Sequence, residues 1–232
     1  MLTQIYEVSS PAEANSISAI GISHVGVLAG DGRFPREQPL AMAKSIAAAV
    51  CPPAKLSVLF LNDDVALIET WARALKAPIV HLGAAPDLLP ARQVAELKQR
   101  LPGCLIMRSV PVSGEESIAI ARSYEGIADF LLLDSHQAGD RQVGALGVTH
   151  DWSISRRIVA MSRIPAILAG GLGADNVAEA IRKVQPAGVD SKTKTDRQGS
   201  HHKDIDRVRC FHAAALAAFQ ELQGAKPSSP SQ

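Results

Sequence analysis

The chain has 232 residues, a length that suits one large domain or two small ones. With 24 Lys and Arg against 23 Asp and Glu, it carries no overall field to draw it to nucleic acid or a membrane surface, so a small molecule is the expected partner. Hydrophobic residues make up 47% of the sequence and aromatics only 4%, so the core must be built from Ala, Val, Ile and Leu, which suit parallel strands buried on both faces.

Three cysteines, Cys51, Cys104 and Cys210, show no CxxC spacing and suggest neither a disulfide framework nor a zinc site. They read as reduced thiols of a cytoplasmic protein, and no metal or cofactor is expected. No apolar run approaches the roughly 20 residues of a membrane span, and the N-terminus lacks a basic stretch followed by an apolar one.

Taken in chain order, short apolar runs fall at 2–8, 24–29, 56–61, 79–82, 104–109, 129–134, 165–169 and 187–191. Between them lie segments with helical spacing of apolar residues, at 40–50, 65–75, 91–101, 115–123, 153–161 and 177–184, with a last helix over 204–222. Helix starts are marked by Ser113-Gly114-Glu115-Glu116 and by Asp175-Asn176, which offer side-chain caps and acidic first turns. Alternation of this kind implies parallel strands joined by right-handed crossovers. Eight such units close into a single α/β domain, a (β/α)8 barrel over residues 1–223, with an open doubly wound sheet as the alternative. Residues 224–232 are Pro/Ser-rich, have nothing to bury, and read as a disordered tail.

In a parallel barrel the active site lies at the C-terminal ends of the strands, so polar residues just past the apolar runs are the candidates. The short list is Tyr6 after strand 1, Arg33 in the loop after strand 2, the Asn62-Asp63-Asp64 triplet after strand 3, His81 in strand 4, Arg108 in strand 5, Asp134 after strand 6, the Gly170-Gly171 pair after strand 7, and Asp190 in strand 8. The most informative stretch is Ile167-Leu168-Ala169-Gly170-Gly171-Leu172-Gly173-Ala174-Asp175-Asn176. A buried strand ending in two glycines before a helix leaves backbone N–H groups free, with no Cβ in the way of an anion. A tight turn without a ligand is the plain alternative. Position after the seventh strand favours phosphate, because loops 7 and 8 form the usual phosphate cradle of such barrels.

Ala169 to Asn176 resembles the strand 7 motif of the phosphoribosylanthranilate isomerase family, and Leu131-Leu132-Leu133-Asp134-Ser135 resembles its strand 6 motif. Gly144-Ala145-Leu146-Gly147-Val148-Thr149-His150-Asp151-Trp152 is similar to its GGTGxxFDW loop. Ala187-Gly188-Val189-Asp190 matches the start of its strand 8, and His202-Lys203-Asp204 its GxKD helix start. The resemblance implies an aldose–ketose isomerase that performs an Amadori rearrangement through a ring-opened Schiff base. On it, Asp134 is the general acid that protonates the ring oxygen, and the apolar neighbours Leu131 to Leu133 favour the raised pKa this task needs.

The family's base is the Cys of an N-terminal KICGIT motif, and here the stretch reads Gln4-Ile5-Tyr6-Glu7-Val8-Ser9, so Tyr6 stands in place of the Cys. A neutral phenol is a poor base. Glu7 is the obvious substitute, although strand alternation sends it to the face opposite Tyr6 unless the strand has already ended. The family's strand 4 Gln becomes His81, either a core histidine or a substitute proton carrier. Arg33 aligns with the arginine that pairs with the substrate carboxylate, and Arg108, Gly147 and Asp190 complete the substrate-binding candidates.

Phosphate is expected at Gly170, Gly171 and Leu172, with Thr193 and Lys194 replacing the family's Ser-Ser-Gly segment. Arg197, His201, His202 and Lys203 make that last loop locally basic, unless it is simply a solvated loop. The implied partner is a phosphorylated small molecule, and the implied assembly is a monomer or homodimer.

Overall fold

The computed structural model describes residues 1–137, 139–144 and 147–224. Eight parallel strands pair in sequence order and close on themselves, β8 returning to β1. They are β1 (Leu2–Ile5), β2 (His24–Leu28), β3 (Lys55–Phe60), β4 (Ile79–Leu82), β5 (Leu105–Pro111), β6 (Phe130–Asp134), β7 (Ala166–Leu168) and β8 (Gly188–Ser191). The outer ring is α1 (Pro11–Ile20), α2 (Leu40–Ala49), α3 (Val65–Leu75), α4 (Ala91–Arg100), α5 (Glu116–Arg122), α6 (Trp152–Met161), α7 (Val177–Val184) and α8 (Ile205–Gly224), with a 3-10 turn at Thr193–Thr195 after β8. This is the closed barrel that the alternation implies, not the open sheet. No helix among the described residues is long and apolar enough to cross a membrane. Residues 225–232, most of the expected tail, lie outside the described residues; Gly224 ends α8.

Period-2 alternation divides the apolar side chains into two cores. Tyr6, Ile79, Met107, Leu132, Ile167 and Ala169 fill the barrel interior. The opposite strand faces, with residues such as Val25, Val58, Val80, Ile106 and Leu131, pack on the inner faces of the helices. That second core is nearly all aliphatic, as the composition requires.

Several boundaries rest on identifiable chemistry. Asp64 caps α3 by accepting from the N–H groups of Ala66 and Leu67, and Asp151 caps α6 through Ser153. Lys76 and Gln185 close α3 and α7 in the left-handed conformation. α1 is marked by Ser10-Pro11-Ala12-Glu13: the Ser10 hydroxyl accepts from Glu13 N–H, and Pro11 opens the helix. The two expected caps are used differently. Ser117, not Ser113, accepts from the N–H groups of Ser113 and Gly114, while Asn176 turns back onto the loop after β7.

Candidate active site

The C-terminal ends of the strands surround a cleft of about 130 Å³. The segment after β1 delivers Tyr6 and Glu7 to its wall, the loop after β2 delivers Phe34, Pro35 and Arg36, and β4 and β5 deliver His81 and Ser109. Asp134 comes from β6, Gly147 from the loop beyond it, Gly170 to Leu172 from the turn after β7, and Asp190, Lys192, Thr193 and Lys194 from β8 and the turn that follows.

The turn after β7 is held by its neighbours. Gly170 and Gly171 take φ of 87° and 59°, the left-handed region where glycine is unstrained. A Cβ on Gly171 would stand 2.8 Å from the Gly147 carbonyl oxygen, so loops 6 and 7 pack backbone to backbone. The Asn176 side chain accepts from Gly173 N–H at 2.9 Å and donates to the Gly171 carbonyl at 3.0 Å, while Ser191 Oγ donates to the Leu172 carbonyl at 2.6 Å. Gly173 N–H is thereby spent. Among the described residues, the N–H groups of Gly170, Gly171 and Leu172 form no hydrogen bond, and the three residues line the cleft together with Thr193 and Lys194.

Two carboxyls, the half-buried Asp134 and the buried Asp190, line the cleft with this turn. Burial raises Asp134 to about 6, against the opposing pull of Ser135 N–H at 2.7 Å, the Ser135 hydroxyl and the Lys192 charge. Asp190 rises further, to about 8, through burial and then repulsion from Asp134, with Gln4 Nε2 donating to it at 3.2 Å. Gln4 Oε1 in turn accepts from His24 Nδ1 at 3.0 Å, so a polar layer lies under the carboxyls. A Cβ on Gly144 would overlap the Asp134 carboxylate, so that glycine keeps open the space the acid occupies.

Tyr6 is built into the barrel. Its ring lies over Gly26, where any Cβ would overlap it, and its hydroxyl sits 2.6 Å from both Ser57 Oγ and His81 Nδ1. His81 Nε2 continues the chain to Ser109 Oγ at 2.7 Å. Both polar ends of Tyr6 and His81 are therefore engaged. Burial pushes the Tyr6 phenol well above its usual range, and it lowers His81 to about 3, assisted by the Arg108 charge. At neutral pH both are uncharged links in a fixed polar chain.

Glu7 does not continue the strand. β1 ends at Ile5, and Glu7 takes a φ of 60°, which breaks the alternation and brings its carboxylate to the same cleft as Tyr6. Oε1 accepts from Lys192 Nζ at 2.6 Å, and Oε2 lies 3.1 Å from Arg36 Nε. The Glu7–Arg36 contact has the distance of an ion pair but not the alignment of a hydrogen bond, so Oε2 and Nε each keep an unfilled hydrogen-bonding valence. Arg36 has a positive φ as well, 72°.

The sequence matches the family described as N-(5'-phosphoribosyl)anthranilate (PRA) isomerase over residues 20–214. This chain belongs to that family. Among curated relatives, the N-(5'-phosphoribosyl)anthranilate isomerase of Methanocella arvoryzae is 32% identical over 90% of this chain and 94% of its own. That of Haloferax volcanii is 34% identical over 91% of each. The phosphoribosyl anthranilate isomerase of Thermotoga maritima superposes with a TM-score of 0.76 over 94% of this chain and 99% of its own, at 24% identity. Thiamine phosphate pyrophosphorylase of Pyrococcus furiosus reaches 0.68 at 20% identity over 94% of this chain and 96% of its own, so structural likeness at this level speaks for the barrel alone.

Within the isomerase family's barrel, the cleft gathers Asp134, Tyr6, Glu7, His81, Gly147, Asp190, Gly170, Gly171, Leu172, Thr193 and Lys194. Two expected residues are not brought to it. Arg33 is half-exposed and pairs with Asp31 at 3.0 Å, and the guanidinium in the cleft is that of Arg36. Arg108 is fully buried on the outer face of β5, donating to the carbonyls of Leu82 and Leu89 beneath the Tyr124 ring. Its neighbours Met107 and Ser109 face inward, and alternation forces Arg108 outward.

The Asn62-Asp63-Asp64 triplet also stays outside the cleft wall: Asp64 caps α3 and Asp63 pairs with Arg141. Ala145 and Leu146 of the GGTG-like loop lie outside the described residues. Arg36 and Lys192 were not among the sequence candidates. Phe34-Pro35-Arg36 carries no signal beyond its proline, and Lys192 was readable only as part of a basic loop.

Proposed function

We propose that this chain is an intramolecular aldose–ketose isomerase that performs the Amadori rearrangement of an N-linked phosphoribosyl amine, with Asp134 as general acid. The observation that carries this reading is a half-buried carboxyl, raised to about 6, that lines one cleft with a glycine turn whose N–H groups form no hydrogen bond among the described residues. A carboxyl in that range holds a proton in about a tenth of molecules at pH 7 and delivers it readily, which is what ring-oxygen protonation needs. The phosphate is received by Gly170 to Leu172 with Thr193 and Lys194, which supports a phosphorylated substrate whose sugar lies over Asp134.

Glu7 is the base in this reading. Its carboxylate faces the cleft with one oxygen unfilled, while Tyr6 and His81 are saturated by Ser57 and Ser109. The proton from the sugar C2 passes to Glu7, and the enolamine that remains relaxes to the ketose. Arg36, with an unfilled Nε–H beside Phe34 and Pro35, is suited to an acidic group on the amine substituent. The protein acts in the cytoplasm as a monomer or homodimer. Turnover of N-(5'-phosphoribosyl)anthranilate, together with rescue of a tryptophan auxotroph lacking this isomerase, tests the assignment. Absence of both rejects it.

A further inference from the structure

Lys192 is held in place more firmly than a surface lysine. Its carbonyl accepts from Thr195 N–H at 3.1 Å, from the Thr195 hydroxyl at 2.8 Å and from Lys203 Nζ at 3.0 Å. Lys203 is itself fully buried and paired with Asp196 at 2.6 Å, so the base of the β8 turn is fixed by an internal ion pair. From that footing the Lys192 side chain, 13% exposed, enters the cleft and places Nζ 2.6 Å from Glu7 Oε1. The charged and titratable groups around it are Glu7 after β1, Arg36 after β2, Asp134 on β6, Asp190 on β8, Lys194 in its own turn, and Asp196 and Lys203 below. Lys192 is thus ion-paired with Glu7 in the cleft that Asp134 and Asp190 also line.

We propose that Lys192 is the positioning residue of the acid–base pair, holding the Glu7 carboxylate in the cleft and presenting one positive charge to both Glu7 and Asp134. This rests on the isomerase reading given above. In the reaction Asp134 becomes anionic as its proton passes to the ring oxygen, and Glu7 becomes neutral as it takes the C2 proton. The ammonium therefore has an anionic partner at every stage, and no net charge is moved into or out of the buried site. The Lys192 charge also pulls Asp134 and Asp190 down against their burial, so its removal has a direction that can be measured.

The test is a carboxyl carbon-13 titration of Asp134, assigned with Asp134→Asn, in the wild-type protein, Lys192→Met and Lys192→Arg. Steady-state kinetics on N-(5'-phosphoribosyl)anthranilate and inhibition by inorganic phosphate are measured beside it. The wild-type midpoint near 6 should rise in Lys192→Met and stay close to wild type in Lys192→Arg. The methionine variant should lose kcat by ~100-fold with KM and phosphate inhibition changed by less than about threefold, and arginine should restore part of the rate. Should the methionine variant not fold, Lys192→Gln takes its place.

An Asp134 midpoint that does not move when the charge is removed overturns the proposal. A loss confined to KM and phosphate inhibition overturns it too, since Lys192 would then be a phosphate ligand. If the wild-type protein turns over no substrate, the isomerase reading fails, and the titration alone decides whether Lys192 sets the charge state of Asp134.

Discussion

Glu7 and Arg36 meet across the mouth of the cleft, Oε2 to Nε at 3.1 Å, and both hold a left-handed backbone that their side chains disfavour. Among the described residues, the other two non-glycine positions with positive φ, Lys76 and Gln185, are helix C-caps, where this conformation is ordinary. Strain of about 1–3 kcal/mol per residue persists where surrounding structure imposes it, and here it brings two charged groups into the cleft. Replacing Glu7 by Gln removes the proposed base but leaves the backbone and packing. kcat should fall by ~100-fold or more with KM nearly unchanged, and the thermal midpoint should fall as well, because Lys192 and Arg36 lose their carboxylate partner. Retention of full kcat would assign the base elsewhere.

Tyr6 occupies space that Gly26 provides. Gly26→Ala places a methyl in the phenol ring, so Tyr6 must move and its links to Ser57 and His81 must break. Urea unfolding should show a loss of about 1–3 kcal/mol. In a Tyr6→Ala background the same substitution should cost much less, and an equal cost in both backgrounds would contradict the contact.

His81 is held neutral by burial at about 3, below its unfolded value near 6.5. A group whose folded pKa is depressed contributes stability that is complete above the unfolded value and is lost as pH falls toward the folded one. The pH window is thus about 6.5 down to about 3. His81→Gln, which keeps a polar partner for Tyr6, should make the acid slope of unfolding free energy shallower by about 1.4 kcal/mol per pH unit within that window. His24 and His150, both lowered to about 4 mainly by burial, add to the same slope and remain in the variant.

Lys203 and Asp196 hold the turn that carries Thr193 and Lys194. Lys203→Met leaves a buried carboxylate without its cation and should cost about 3–5 kcal/mol in unfolding free energy. It should also weaken inhibition by inorganic phosphate. Unchanged inhibition would mean that the phosphate cradle does not depend on this pair.

The sequence made the barrel legible because aliphatic runs and amphipathic segments alternate with regular spacing, and because Asp134 and Gly170-Gly171 fall at the ends of such runs. Three features were hidden for physical reasons. Arg108 looked like a strand-end cation, but its phase between Met107 and Ser109 sends it to the helix side. Glu7 reaches the cleft only because its left-handed φ cancels the alternation, and a side-chain pattern does not encode that. Arg36 and Lys192 acquire their roles by converging on Glu7 from loops distant in sequence, so their significance is a property of closure.

The proposed acid role of Asp134 implies a rate limb that falls as pH rises through about 6, since the protonated form would be the active one. The most direct measurement is turnover of N-(5'-phosphoribosyl)anthranilate by the wild-type protein and by Asp134→Asn, followed from about pH 5 to about pH 9. The account predicts wild-type turnover with that limb, and a loss of ~100-fold or more in kcat for the variant with KM retained. A wild-type protein without turnover, or a variant with the wild-type rate and profile, would contradict it.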